Sequence, residues 1–170
     1  VLKKLLLASA IVLALFPMPK AQAAGANNFH FKNFTADYYL SRDENRVSHM
    51  KVVEQLTAVF PNQPQNHGIT RIIPFTNNDG QNLTMKSDKH LRISVERNGS
   101  PEKISNITAD DGYFLVYIGD SEKYVTGEQT YTITYEFENL ILDFADWQEL
   151  YWDANSNDWM QRFQQVTARV

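Results

Sequence analysis

Residues 67–75 read His67-Gly68-Ile69-Thr70-Arg71-Ile72-Ile73-Pro74-Phe75, a Gly-hinged apolar segment that carries one charge between two long alternating regions. Gly68 permits a backbone turn, and Pro74 removes a donor from any β-ladder. Ile72 and Ile73 favour burial, so Arg71 carries its charge into an apolar setting, where an unpaired charge is costly. We therefore predict that this segment is an ordered crossing on which the fold is organised.

The run before this segment has one carboxylate on an apolar face. Strand alternation gives that face to Met50, Val52, Leu56, Ala58 and Phe60. Glu54 falls on the same face, where it needs a donor or must become protonated. Arg71 is the nearest arginine in the sequence with apolar neighbours, and its planar fork can bind both carboxylate oxygens. We predict a buried Glu54–Arg71 pair; the alternative is a bulge that turns Glu54 to water.

Apolar alternation recurs along the chain and predicts further strands. The inward residues of an early and a late strand are Phe34, Ala36, Tyr38 and Leu40, and Tyr131, Ile133, Tyr135 and Phe137. Another alternating run leads into Asn98-Gly99, which is a strong hairpin pattern. Residues 113–118 are apolar on both faces, as in a strand that is covered on two sides. A short strand is predicted near residues 81–85.

The fold class follows from these patterns. After residue 23 the sequence has no helix-length amphipathic pattern and no internal repeat, and turn residues recur every 8 to 12 residues or so, as in β-sandwiches. We predict an all-β domain, a two-sheet, immunoglobulin-like β-sandwich of about seven to nine strands. A short helical turn is predicted near residues 144–152, where the aromatic residues follow neither period.

Residues 1–23 have the three parts of a secretory signal peptide. Lys3 and Lys4 give a positive start, residues 5–16 are apolar, and Ala21-Gln22-Ala23 is a small-residue cleavage site. The apolar run of about 12 residues is shorter than the roughly 20 that span a bilayer. The chain contains no cysteine, which excludes disulfide and thiolate chemistry. We expect residues 24–170 to be an exported domain outside the cytoplasmic membrane, at the cell surface or in the periplasm.

The charge is distributed unevenly. Residues 24–109 hold 10 basic and 8 acidic side chains, whereas residues 110–170 hold 3 basic and 12 acidic side chains. Nucleic acid and anionic lipid are therefore disfavoured as partners, because both bind clustered Lys and Arg. A cation or a basic partner remains compatible with the acidic C-terminal part.

Four stretches of the sequence are similar, in order, to one known family. They are the strand with Val52, Glu54 and Phe60; His67-Gly68-Ile69 with Arg71 and Ile73-Pro74; Tyr117-Ile118-Gly119-Asp120 with Gly127 and residues 130–135; and Glu149-Leu150-Tyr151-Trp152-Asp153 with Trp159. On these residues the chain resembles the N-terminal extracytoplasmic domain of the DUF2207 family, predicted bacterial membrane proteins of unassigned function.

The resemblance implies a set of structural motif residues. These are Glu54, His67, Gly68, Arg71, Pro74, Tyr135, Glu149, Tyr151, Trp152 and Trp159. It also implies membrane tethering only through segments beyond residue 170, because family members carry membrane-spanning helices after this domain. One loop departs from the family pattern: Ala154-Asn155-Ser156-Asn157 stands where a Gly-containing turn is usual. The resemblance implies no reaction.

The sequence offers little catalytic chemistry. There is no GxSxG motif and no glycine-rich phosphate loop, and His30, His49, His67 and His90 lack the spacing of metal ligands. We therefore predict no catalytic residues and no cofactor. The weak exception is an acidic set that could bind Ca²⁺ or supply a glycosidase carboxylate pair, although a water-facing loop is the preferred explanation. The set is Asp143, Asp146, Glu149 and Asp153.

The same region has a candidate binding surface. Trp147, Tyr151 and Trp152 could form an aromatic platform for a sugar or a peptide, or could pack the loop on the sandwich. The leading hypothesis is a non-enzymatic extracytoplasmic binding or scaffolding domain of a membrane-associated cell-envelope protein, with a protein or an envelope polysaccharide as partner. The alternative is an envelope hydrolase that acts on carbohydrate or peptidoglycan through the acidic residues of the 143–153 loop.

Overall fold

The computed structural model describes residues 25–75, 92–110, 112–156 and 159–170. Two sequence predictions therefore lie outside the described residues: the signal peptide over residues 1–23 and the short strand near residues 81–85. His90, one of the four histidines, lies outside them as well.

The described residues form eleven strands and no helix. The strands are β1 His30–Arg42, β2 Ser48–Phe60, β3 Gly68–Pro74, β4 Arg92–Arg97, β5 Ser100–Pro101, β6 Ile104–Asp110, β7 Tyr113–Gly119, β8 Gly127–Glu138, β9 Ile141–Asp143, β10 Gln148–Leu150 and β11 Phe163–Arg169. A six-stranded sheet has the order β11-β1-β2-β8-β4-β5, a three-stranded sheet has the order β3-β7-β6, and β9 pairs with β10. The β1–β11 pair is parallel, and the other ladders are antiparallel.

One hydrophobic core joins the two larger sheets. The six-stranded sheet contributes alternate residues of its long strands, and the three-stranded sheet contributes Ile69, Ile73, Phe114, Val116 and Ile118. On β8 the predicted inward residues Tyr131, Ile133, Tyr135 and Phe137 are all buried. This assignment is confirmed because the period of two places all four side chains on one face.

Two face assignments were wrong. Leu40 was predicted to be inward, but 39% of it is exposed, because it lies beyond Asp37, the last residue of β1 that pairs with β11. Residues 113–118 were predicted to be covered on both faces. Only Phe114, Val116 and Ile118 are buried, whereas Tyr113 and Tyr117 are 38% and 37% exposed on the opposite face of β7.

The predicted Asn98-Gly99 hairpin is confirmed. It joins β4 to β5, and Asn98 and Gly99 have φ angles of 53° and 76°. Positive φ at both central residues is what a two-residue hairpin turn of the I′ type requires.

The all-β fold class is confirmed, whereas the immunoglobulin-like arrangement is not confirmed by these sheets. The strand count was too low, because β5, β9 and β10 are only two or three residues long. The helical turn predicted near residues 144–152 was wrong. Residues 141–150 form a hairpin instead, closed by a hydrogen bond from the Phe144 amide to the Trp147 carbonyl at 2.9 Å.

Candidate functional site

A buried ion pair lies between the two larger sheets. Arg71 of β3 donates from Nε to Oε2 of Glu54 at 2.7 Å and from Nη2 to Oε1 at 2.6 Å. Both side chains are 0% exposed. Glu54 is inward on β2 by strand alternation, and Arg71 is inward on β3 between Ile69 and Ile73. The pair predicted from the sequence is therefore confirmed, and its two-point geometry satisfies both carboxylate oxygens.

Neighbouring polar groups complete the bonding of this pair. The Tyr135 hydroxyl donates to Glu54 Oε1 at 2.7 Å, and Arg71 Nη1 donates to the Ile72 carbonyl at 2.5 Å. Sequence analysis placed Tyr135 inward but did not predict its bond to Glu54. Tyr135 lies opposite Val52, so Glu54 is two residues further along the facing strand. An aromatic side chain can reach a residue at this diagonal position, which explains the bond once the register is known.

Two aromatic rings cover the guanidinium of Arg71. Its Cζ atom lies 5.9 Å from the ring centroid of Phe34 and 5.6 Å from that of Trp159. Trp159 is held in place from its other side, because its indole N–H donates to the Asn155 carbonyl at 2.5 Å. The loop before β11 thus closes over the ion pair and adds cation–π attraction.

Burial and charge set the protonation of this cluster. Burial alone lowers the pKa of Arg71, but the charge and hydrogen bond of Glu54 outweigh it and raise the pKa above its ordinary value. Burial, followed by the Glu54 charge, raises the pKa of Tyr135 well above 10.0 and the pKa of Tyr38 to about 12. Arg71 is therefore charged and both tyrosines are neutral donors at physiological pH. The cluster links the sheets, and its members Glu54, Arg71 and Tyr135 have no access to solvent.

Exposed aromatic side chains lie on and just after the β9–β10 hairpin. The rings of Phe144 and Trp147 stack at the turn, with centroids 4.1 Å apart and planes 8° apart. These two residues are 46% and 55% exposed, and Tyr151, just after β10, is 61% exposed. We call Phe144, Trp147 and Tyr151 the hairpin aromatic patch. Sequence analysis included Trp147 and Tyr151 but missed Phe144, because only the turn brings residues three apart into ring contact.

Trp152 has a different place from the other predicted platform residues. Its ring packs against Phe137 of β8 with centroids 5.4 Å apart, and it adjoins the core as a partly buried residue. Next to it, the Tyr38 hydroxyl donates to the Ala154 carbonyl at 3.1 Å. The segment after β10 is therefore anchored to the core through Trp152, while the hairpin aromatic patch projects outward.

The acidic residues of this region are not gathered into one site. Arg42 Nη2 contacts Asp143 Oδ1 at 3.4 Å, and Gln148 also donates to Asp143. Because Asp143 pairs with Gln148 and Leu142 pairs with Glu149, the side chains of Asp143 and Glu149 point to opposite faces of the hairpin. Among the described residues, no group of three or more His, Asp or Glu side chains is placed to hold a metal ion.

Two of the described histidines have separate surroundings. His49 lies between two carboxylates, 3.6 Å from Asp43 and 3.7 Å from Glu138. His67 is near Gly68 at the start of β3, where its Nδ1 lies 2.9 Å from the Lys123 carbonyl and its ring packs on Tyr124.

Comparison with known proteins identifies the family. A family model for the N-terminal domain of predicted membrane proteins, DUF2207, matches residues 31–170. The chain belongs to the DUF2207 family. No curated protein matches this DUF2207 chain. In the part of the chain that is described, no helix has the length and apolar character needed to cross a membrane.

A solved structure that resembles the DUF2207 domain is native leukotriene A4 hydrolase from Saccharomyces cerevisiae. The two share 15% sequence identity over 70% of this chain, with a TM-score of 0.36. The DUF2207 chain spans 18% of that chain. A likeness at this level carries no argument about function.

The motif residues that support the DUF2207 resemblance separate into two groups in the structure. Glu54, Arg71, Tyr135 and Trp159 meet in the buried cluster between the sheets. Pro74 ends β3 opposite Tyr113, and Gly68 begins the same strand. The second group, Glu149, Tyr151 and Trp152, lies on or just after β10. The first group is structural, and the second lies beside the exposed rings.

Proposed function

We propose that this chain is a non-enzymatic binding or scaffolding domain that lies outside the cytoplasmic membrane as part of a membrane-associated cell-envelope protein. The hairpin aromatic patch is its binding surface. The observation that carries this proposal is the stacked Phe144–Trp147 pair at the turn of a hairpin whose second strand is followed by Tyr151, all three rings being about half exposed. Exposed aromatic clusters of this kind are typical of interaction sites, because aromatic rings bury much area at low entropic cost.

The scaffold beneath the patch supports this role. We propose that the two larger sheets form an immunoglobulin-like β-sandwich, since both contribute side chains to one core. The hairpin is tied to that sandwich at its base. The Ile141 amide donates to the Ser48 hydroxyl at 3.3 Å, and Trp152 packs on Phe137. A rigid support of this kind lowers the entropy lost on binding.

The partner that the surroundings of the patch favour is a protein with exposed basic side chains. Asp143, Asp146 and Glu149 flank the exposed rings, and residues 110–170 hold 12 acidic side chains against 3 basic ones. Lys and Arg bind both carboxylates and aromatic faces. An extracytoplasmic location rests on the predicted signal peptide, together with the membrane-protein description of the family.

The test places a photo-crosslinking amino acid at position 147 of the full-length protein in its native host. We expect one dominant envelope protein in the crosslinked product, which is then purified and titrated against the domain by calorimetry. Trp147→Ala is expected to weaken that affinity by about tenfold or more, as for a central aromatic contact. The matched control is Tyr39→Ala, because Tyr39 is 58% exposed on another part of the surface.

Unchanged affinity in both Trp147→Ala and Phe144→Ala would overturn the hairpin as the binding surface. Crosslinking to polysaccharide instead of protein would contradict a protein partner and favour an envelope polysaccharide, the other predicted partner class. Release of soluble sugar from purified peptidoglycan, lost in Glu149→Gln, would favour the hydrolase alternative and contradict a non-enzymatic domain.

A further inference from the structure

A cavity of about 410 Å³ lies beside the three-stranded sheet, and no residue of the hairpin aromatic patch lines it. It is bounded by the segment before β1, the loop before β3, the strands β3 and β7, and the loop before β11. Pockets for small ligands begin at roughly 300 Å³, so this space is large enough for one. We call it the β3–β7 pocket, after the two strands that form its floor.

The lining of the β3–β7 pocket has no carboxylate, ammonium or guanidinium group. None of the residues around it is Asp, Glu, Lys or Arg, although 21% of the chain is charged, and His67 is its one imidazole. Its polar members carry amide or hydroxyl groups, among them Asn27, Gln65, Thr70 and Ser105. Such a lining offers neutral donors and acceptors and gives no counter-charge to an ionised ligand.

Aromatic and apolar side chains form the walls. Phe29, Tyr117 and Trp159 line the pocket from three different segments of the chain. Met160 lines it as well and is 78% exposed. The rim is tied together by polar contacts, because Gln161 Nε2 donates to Asn27 Oδ1 at 3.3 Å. Aromatic faces beside amide groups are suited to a ligand with both C–H faces and hydroxyl groups.

Two buried polar atoms at this pocket have no hydrogen-bond partner within the described chain: Gln65 Nε2 and Asn66 Oδ1. Asn66 is only 4% exposed, and its Nδ2 already donates to the Ala26 carbonyl at 2.5 Å. A buried polar atom left unpaired is costly and uncommon. Both residues line the pocket, but these two atoms have almost no solvent-accessible surface, so a ligand would meet the other polar groups of the lining.

We infer that the β3–β7 pocket binds a neutral saccharide unit. The ring faces of Tyr117 and Trp159 contact the C–H faces of the sugar, and its hydroxyl or acetamido groups pair with the exposed hydroxyl groups of Thr70 and Ser105. Acidic sugars and charged peptides are disfavoured, because the lining holds no Asp, Glu, Lys or Arg side chain to pair with their charges. This site is separate from the hairpin aromatic patch, so an experiment can contradict this inference without affecting the proposed function.

The experiment titrates the ¹⁵N-labelled protein with chitobiose and cellobiose, and in parallel with tri-galacturonate and tetra-alanine. We expect at least one neutral disaccharide to shift the backbone amide signals of Thr70 and Ser105, while that of Gln55 on the other sheet stays in place. Tyr117→Ser is expected to weaken the affinity about tenfold, the size of one lost aromatic contact of about 1.4 kcal/mol.

Tyr113→Ser is the matched control. Tyr113 and Tyr117 lie on the same face of β7 with 38% and 37% exposure, but only Tyr117 lines the pocket. Equal loss of affinity in both variants would overturn the site. So would the absence of any shift with either neutral sugar, and so would stronger binding of tri-galacturonate or tetra-alanine. Circular dichroism of both variants checks that a loss reflects the pocket and not the fold.

Discussion

Glu54 of β2 and Arg71 of β3 form a two-point ion pair across the space between the two larger sheets, with Nε–Oε2 and Nη2–Oε1 distances of 2.7 and 2.6 Å. Both side chains are fully buried, so neither has water to replace a lost partner. The pair thus makes the position of the three-stranded sheet depend on a residue of the six-stranded sheet.

Loss of one partner is expected to destabilise the protein far more than loss of both. Glu54→Leu or Arg71→Met leaves an uncompensated buried charge and should cost about 3–5 kcal/mol. The double variant replaces the pair with apolar side chains and should cost much less than the two single changes combined. Urea unfolding measures all three; additive losses would contradict the pairing. Lys32→Ala is the control, because the Lys32–Glu128 pair is about half exposed and its loss should have little effect.

Two tyrosines on one strand should respond differently to loss of the hydroxyl. Tyr135→Phe removes the donor to Glu54 and is expected to cost about 1–3 kcal/mol. Tyr131 is equally buried on the same face of β8, but its hydroxyl has no hydrogen-bond partner in the described chain. Tyr131→Phe should therefore be neutral or stabilising. Thermal unfolding of the two variants tests this, and an equal loss in both would contradict it.

Alkaline pH should weaken the fold through its buried tyrosines. Burial raises the pKa of Tyr38 from 10.0 to about 12. Between these two pH values the folded protein therefore retains a proton on Tyr38 that the unfolded chain releases. The stability due to this shift is fully present below pH 10 and is lost as the pH rises through about 12. Urea midpoints between pH 8 and pH 12 should fall less steeply in Tyr38→Phe than in the unaltered protein. Parallel slopes would show that Tyr38 is not responsible.

Two glycines face each other where β3 and β7 pair, and neither should tolerate a side chain. A Cβ atom on Gly68 would lie 1.8 Å from the Ile118 carbonyl oxygen, and one on Gly119 would lie 2.0 Å from that of His67. Their φ angles, 150° and 132°, add strain to the clash. Gly68→Ala and Gly119→Ala should each cost about 3 kcal/mol or more. Gly25→Ala is the control and should be silent, because nothing lies within 4 Å of its added Cβ.

Calcium should leave the melting temperature unchanged. Asp143 is already in contact with Arg42 and Gln148, and its side chain points away from that of Glu149. If Ca²⁺ bound a specific site, a concentration of 100 times its Kd would add about 2.7 kcal/mol to the free energy of unfolding and raise the melting temperature visibly. A clear rise with Ca²⁺ but not with Mg²⁺ would contradict the prediction and make Asp143, Asp146, Glu149 and Asp153 the residues to mutate.

Much of this fold could be predicted from local patterns. The period of two assigned the inward face of β8 correctly, and Asn98-Gly99 indicated its hairpin because two positive φ angles are needed there. The Glu54–Arg71 pair was predictable from the cost of burying a charge. A carboxylate on an apolar strand face must find a donor, and Arg71 is the nearest arginine that lies in an apolar segment.

The local patterns failed where short strands and ring contacts decide the structure. Residues 141–150 resemble neither period, because each strand of the hairpin is three residues long and Phe144 stacks on Trp147 only after the turn forms. Leu40 continues an inward alternation beyond Asp37, where the pairing of β1 with β11 ends, so its position in the pattern could not indicate its exposure.

The amino-acid sequence alone determined the all-β class, the inward faces of the long strands and the need for a partner at Glu54, since each of these depends on neighbours a few residues away. Only the tertiary structure decided which sites are open to a ligand. The β3–β7 pocket joins Phe29, Asn66, Tyr117 and Trp159, which are distant in the chain. Cavities arise from how whole segments meet, and strand periodicity carries no information about that meeting.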